Sequence, residues 1–539
     1  MQIIMIDIIF SFSLFIIAFL SRLYLRYKIQ PGFLKLDFPM RGYPGDVLVH
    51  LVMIKLIREN NNAIPRQAPQ FLVGGDFNYP AFYHWLCSFL PTRLLERYEF
   101  LISPLLEGIH AVVFYFGLSM VLQEVAILPS EDMSTAAAIG SVAFIFTPLL
   151  YSEPWHACLI SPRVLGMLFG NIALFAQVVV LSSGAGFEWW ACIAVTMTAL
   201  VIITSKFSTQ AVVFISSLLS LLSMSYWPIL LTFLGILLSI ICTGGYAWLL
   251  IKGHINHSRH YCYSQSWTSN TAFSSSIFID SAKLLIKGQI RSAIHTLKKH
   301  PAHRILMNFP WILVFFILLF GFQIIVIDQW HQKFLLWAFS GILVAFIVIS
   351  DRLKFIGESY RYFDYCIFPF IITIFSYDIL LAYLVFAVTI LYSVISYIKI
   401  SNIYINYVKS DEAYQELLGH MQRLSESTIL CLPGRLVYPL LYEAQHKAVW
   451  WLVHAPKFGG AQFNWWAEWQ KENETVLPFV SLKATVRSYN SYGAELLVFD
   501  SSCDGNSPEL ESVLKRIKPS FDNGRYQVYE IKNIVDEQV

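Results

Sequence analysis

Apolar and polar stretches alternate along this chain on the length scale of a lipid bilayer. A helix needs about 20 apolar residues to cross one. Runs of that order occupy residues 102–122, 164–181, 228–251 and 309–327, with shorter ones at 136–151, 189–204, 210–222 and 335–349. The run 367–398 is too long for one crossing and is cut by Ser376, Tyr377 and Asp378, so it predicts two. The first apolar stretch, 3–20, is interrupted only by Asp7 and lacks the basic start and small-residue cleavage site of a signal peptide. It predicts a retained signal anchor. The pattern as a whole predicts a membrane all-α bundle of about 11 transmembrane helices.

The polar mass between these runs is unevenly shared. Residues 25–100 form a long loop whose central part, from Asp37 to Pro91, is too polar and too broken by Pro and Gly to enter a bilayer. A second loop, 252–308, places Leu284, Leu285, Ile290, Ile294 and Leu297 at helical spacing among lysines. That pattern predicts an amphipathic helix lying on anionic lipid headgroups. From about Asn402 the composition changes. Residues 1–400 therefore read as a polytopic membrane domain, and 405–539 as a small C-terminal soluble α/β domain. In that domain 428–432, 448–452, 494–499 and 526–531 predict strands, and 411–424 and 509–517 helices. An odd number of spans puts the first loop, the 252–308 loop, the 351–365 loop and the C-terminal domain on one face. The Lys, Arg and His content of the 252–308 loop favours the cytoplasm, but the positive-inside rule weakens for loops approaching 60 residues.

Composition agrees with a membrane protein. Of 539 residues 56% are hydrophobic and 14% charged, with a mean hydropathy of +0.55, whereas soluble domains are about a quarter charged. Net charge is +2, which leaves no electrostatic footprint for nucleic acid. The eight cysteines form no CxxC pair, so neither a zinc site nor a disulfide framework is indicated.

Candidate chemistry concentrates in the first loop. Asp46 opens an apolar helical run to Arg58. It suits either an N-cap or a carboxylate held at the membrane to take a proton from a hydroxyl. His50 lies one turn on, on the same face. Asp76 precedes Asn78-Tyr79-Pro80, an ordinary helix start, and Tyr79, Tyr83 and His84 suit either an interfacial aromatic face or a substrate-facing edge. Arg163 and Lys206 stand at the mouths of spans, as do Glu358, Arg361 and Tyr362. Such cations either snorkel or neutralise a lipid phosphate. No Walker A, Rossmann, HExxH or GxSxG motif occurs, so an enzyme of this kind must take its donor from the membrane.

Asp46 with residues 47–58 resembles the first juxtamembrane helix of the GT-C superfamily of polytopic glycosyltransferases, broadly its protein O-mannosyltransferase and aminoarabinose-transferase group. Tyr79-Pro80-Ala81-Phe82-Tyr83-His84 resembles the Tyr-Pro-Pro-Leu-Tyr start of the second such helix, with Ala81 where the family has a second Pro. Arg361-Tyr362 with Pro369 resembles the family's Arg-Tyr…Pro stretch. The tail ending in Arg525-Tyr526-Gln527-Val528-Tyr529 resembles the soluble domain many members carry. The resemblance implies inverting transfer of a sugar from a polyprenyl-phosphate carrier to a lipid, glycan or protein acceptor on the non-cytoplasmic side, as at the periplasmic face of a bacterial inner membrane. Asp46 would be the general base, with Asp37 and Asp76 as contenders because the family's usual acidic pair is not adjacent here. Arg163, Lys206 and Arg361 would hold the lipid phosphate. Metal dependence varies in the superfamily, which leaves a divalent cation open, though no ligand cluster demands one. The rival readings are a transporter or flippase of lipid-linked saccharides, and a saccharide polymerase.

Overall fold

The computed structural model describes residues 2–29, 45–125, 130–151, 159–182, 187–263, 276–298, 309, 329–349, 353, 356, 359–404, 412–432, 434–452, 482–502 and 508–537. The chain divides into two compact units. One comprises Met1–Leu36, Arg93–Ala247 and Thr271–Tyr407; the other comprises Asp37–Thr92, Trp248–Asn270 and Val408–Val539.

The first unit is helical, the form in which an apolar chain satisfies its own backbone in lipid. Six of its helices are long and apolar enough to cross a membrane: Met5–Lys28, Thr92–Val125, Pro162–Ser182, Phe187–Thr204, Gln329–Val348 and Leu380–Ile398. The expected count of about 11 is not reached among the described residues. Asp132–Ile145 and Lys206–Leu222 are apolar but short. The run 228–251 is broken into Trp227–Cys242 and Tyr246–Arg259, a bent pair that raises the count to seven if it is one span. Gly244 and Gly245 make that break with φ of +56° and +86°, the left-handed region that glycine enters without strain. The run 309–327 lies outside the described residues except for Phe309. The long run 367–398 does divide in two, at Asp378, whose carboxylate accepts from the Leu381 N–H at 2.8 Å.

The helix Tyr360–Tyr377 is buried on nearly every side and forms the centre of this core. Phe368 packs edge-on to Phe114 at 4.7 Å, and Phe114 stacks on Phe144 at 4.5 Å. Asp7 accepts hydrogen bonds from Tyr115 Oη and Ser134 Oγ, at 2.5 and 2.8 Å, so it is a paired structural group. Two buried ion pairs lock the first helix to the segment that begins at Thr92. Arg26 meets Glu99 at 2.8 Å and Arg22 meets Glu107 at 3.5 Å, with all four side chains almost fully buried. Glu99 also accepts from the Ile160 N–H, and Arg22 donates to the Ile145 carbonyl.

The second unit is built on a five-stranded sheet of order β2-β1-β3-β5-β4. The strands are β1 Thr428–Leu432, β2 Lys447–Ala448, β3 Leu496–Asp500, β4 Phe521–Asp522 and β5 Tyr526–Glu530. Strand β1 runs parallel to β2 and β3, while β5 runs antiparallel to β3 and β4. The β2 edge is extended by the first loop itself. Phe71 pairs in parallel with Ala448 and Gly74 with Trp451, through Leu72 N–H to the Ala448 carbonyl, Val73 N–H to the Trp450 carbonyl and Ala448 N–H to the Gln70 carbonyl. An open edge presents unpaired backbone groups; here the loop takes them. The helix Gly45–Glu59 packs on Val437–Glu443 of the C-terminal domain, and Lys55 donates to the Tyr442 carbonyl at 2.9 Å.

Removing one member of a buried pair strands a charge and costs about 3–5 kcal/mol, whereas replacing both with apolar groups is often neutral. Arg26→Met should therefore destabilise the protein strongly in detergent thermal unfolding, and Arg26→Met/Glu99→Met should recover most of the loss. Equal destabilisation in the single and double variants would show that the pair does not lock this helix.

Candidate functional site

The candidate residues of the first loop gather in the second unit. The helix Gly45–Glu59 carries Asp46 in its first turn, where a carboxylate is favoured by the helix dipole. His50 is one turn on. The Asp46 side chain, and Asp37 and Glu358 altogether, lie outside the described residues. The helix Phe82–Ser88 packs on Gly45–Glu59 and brings His84 to His50, with Nε2 and Nδ1 3.0 Å apart. The Tyr79 ring lies 5.8 Å from His84 and 6.4 Å from His50, and the Tyr83 ring 5.6 Å from His84. Four residues read separately from the sequence thus form one cluster. Tyr83 and His84 are buried, whereas Tyr79 is half-buried.

One imidazole must accept the proton of the other, so the pair cannot be doubly protonated without losing this bond. His84 is held well below the usual imidazole range, first by its burial and then by the charge of His50. The arrangement offers a hydrogen-bonded imidazole pair, in which His84 resists protonation, beside a tyrosine face. Asp76 is placed differently. It is exposed and borders a separate cleft of about 810 Å³ with Arg66, Lys252 and Arg259.

The cations of the first unit converge on one phenyl ring. Arg163 is the second residue of Pro162–Ser182, Lys206 the first of Lys206–Leu222 and Arg361 the second of Tyr360–Tyr377. Their charged atoms lie 5.3, 6.0 and 4.1 Å from the Phe207 ring centroid. Cations are disfavoured at helix N-termini, and N-terminal N–H groups attract anions. Three helix starts, each carrying a cationic side chain, thus meet at one ring. Asp364 is half-buried on the same Tyr360–Tyr377 helix. Tyr362 is buried and turns its ring toward Phe214 at 6.5 Å, so it packs in the core beside the cluster.

Glycines let these helix starts meet. A Cβ at Gly166 would overlap Ser205 and Ser208, and one at Gly170 would lie 2.7 Å from the Tyr365 ring. Gly166 and Gly170 share one face as a GxxxG pair, which lets helices approach closely in membranes. Ser205 caps the Lys206–Leu222 helix by accepting from the Ser208 N–H. Phe207 and the glycine pair were not singled out from the sequence, although the GxxxG spacing was there to be found. Among the described residues no three His, Cys, Asp or Glu side chains gather as a metal site.

No protein-family model matches the sequence, and no curated protein sequence matches it. Two solved structures are similar in outline. One is an oligosaccharyltransferase of Archaeoglobus fulgidus tethered to an acceptor peptide, with 11% identity, a TM-score of 0.46, and 91% of this chain and 69% of that chain covered. The other is the archaeal oligosaccharyltransferase AglB from the same organism with an inhibitory peptide and a dolichol-phosphate, with 11% identity, a TM-score of 0.47 and the same coverage. Likeness at this level assigns no activity to this chain.

Gly166→Val should push the helix starts apart at a cost of about 1–3 kcal/mol, read as a lowered melting temperature in detergent, while an unchanged melting temperature would show that close approach there is not required. The depressed His84 pKa has a definite sign. An unfolded histidine protonates near pH 6.5 and the folded one resists, so this stability is present above about pH 6.5 and is lost as pH falls toward the folded pKa. His84→Asn should flatten the melting curve against pH in that range, and a slope identical to wild type would rule His84 out as its source.

Proposed function

We propose that this protein is a membrane-embedded glycosyltransferase of the GT-C type, moving a sugar from a polyprenyl-phosphate donor to a lipid, glycan or protein hydroxyl with inversion. The observation that supports it best is the set of three cations on Phe207 at the starts of three helices. A lipid phosphate leaving group needs charge stabilisation where its oxygen becomes anionic, and preorganised cations supply it. In this reading Asp46 removes the acceptor hydroxyl proton, the hydroxyl oxygen bonds to the anomeric carbon from the face opposite the phosphate, and the carbon–oxygen bond to phosphate breaks. The released polyprenyl phosphate keeps the electron pair and rests against Arg163, Lys206 and Arg361. His50 and His84 with Tyr79 and Tyr83 orient the acceptor side of the reaction. The active face is the non-cytoplasmic one. No metal is needed to balance this step.

A second reading has one observation in its favour. The break between Trp227–Cys242 and Tyr246–Arg259 is the kind of interrupted helix that transporters use to build substrate sites. The two readings differ on Asp46. As a general base it contributes about 10²–10⁴-fold, so Asp46→Asn should lower transfer by that factor while leaving donor binding and thermal stability near wild type. The measurement is mass spectrometry of surface glycans and lipid-linked sugars in a deletion strain carrying the variant. Full transfer by Asp46→Asn would remove the base and favour a carrier of lipid-linked saccharides.

A further inference from the structure

The cleft that Asp76 borders is unused by the reading above. It has a volume of about 810 Å³, and among its described lining residues are three cations, Arg66, Lys252 and Arg259, and one carboxylate, Asp76. Asn78 and Asn256 add amide donors, and Leu249 and Ile255 add apolar surface. The helix Tyr246–Tyr263 forms one wall. Its exposed positions, 248, 249, 252, 255 and 259, recur at helical spacing and fall on one face. Trp248, Leu249 and Ile255 are 48, 47 and 46% exposed, and the Lys252 ammonium lies 5.4 Å above the Trp248 ring. At the base of the cleft the two walls touch, since a Cβ at Gly253 would lie 2.8 Å from the Asn78 carbonyl oxygen.

Tryptophan and aliphatic side chains exposed beside basic ones on one helix face mark a segment lying in a membrane interface. An aqueous anion site would have no use for Leu249 and Ile255. A phosphodiester headgroup with its glycerol needs both, because cations and amides meet the phosphate oxygens and aliphatic groups meet the glycerol and first methylenes. We propose that this cleft is a binding site for the phosphate headgroup of an anionic membrane lipid. The site would tie the second unit to anionic lipid through Arg66, Lys252 and Arg259, with Asp76 setting the affinity below its maximum. It is independent of the transferase reading, and Asp46→Asn protein binds lipid there unchanged.

The test is calorimetric titration of the full chain in neutral detergent with dihexanoyl phosphatidylglycerol, dihexanoyl phosphatidylcholine and inorganic phosphate. Each cation near an anionic lipid contributes enough that losing three costs about a hundredfold, and one carboxylate takes back about five- to tenfold. Wild type should bind phosphatidylglycerol at least about tenfold more tightly than phosphatidylcholine. Arg66→Gln/Lys252→Gln/Arg259→Gln should abolish that preference, and Asp76→Asn should strengthen it. Opposite shifts in the two variants cannot come from misfolding. Equal binding of the two lipids, or an unchanged preference in the triple variant, overturns the site. Inorganic phosphate binding as tightly as phosphatidylglycerol overturns the lipid assignment in favour of a free phosphate.

Discussion

Like charges held several Å apart near a protein surface repel by on the order of 1–2 kcal/mol per pair, and helix N-termini add to the same sign. Arg163, Lys206 and Arg361 stand at three helix starts around one phenyl ring. The Phe207 ring favours such cations through its negative face, about 0.5–2 kcal/mol per contact. The result is a set of three basic side chains preorganised on one ring. Such sites stabilise a leaving anion without rearranging at the moment of reaction. The glycine pair at 166 and 170 is the packing condition for this arrangement, because side chains there would hold the three helix starts apart.

The second unit meets a different constraint. A loop rich in Pro, Gly and Asn has little means of fixing its own shape. Here it borrows order from the C-terminal domain. Residues 71–74 take the open edge beyond β2, the Gly45–Glu59 helix packs on Val437–Glu443, and Arg58 donates to Thr92 and to the Ser88 and Leu90 carbonyls. The result is a loop whose His50, Tyr79, Tyr83 and His84 hold a fixed relation. Loops positioned by a rigid scaffold are where binding and catalytic groups are disproportionately found.

Much of this was legible from local pattern. Arg163, Lys206 and Arg361 stood out because each follows a Ser, Pro or Tyr at the mouth of an apolar run, and the structure brings all three to one ring. The strand Thr428–Leu432 falls where its β-branched and aliphatic run placed it. Long-range relations were not legible. The carboxylates that pair with Arg22 and Arg26 sit far along the chain, and a cation at the end of an apolar run looks solvated until its partner is known. The strand pairing of Phe71–Gly74 was hidden because the segment is four residues long and its partner lies in another domain. The break at Gly244-Gly245 was visible as a glycine pair, yet hydropathy averaged across the run concealed it.

The most direct test of the cation cluster is a cryo-EM map of the protein in lipid nanodiscs with polyprenyl phosphate added. Phosphate density is expected beside Phe207, within hydrogen-bonding distance of the Arg361 guanidinium. Polyprenyl phosphate bound elsewhere, with no density at that ring, would contradict it.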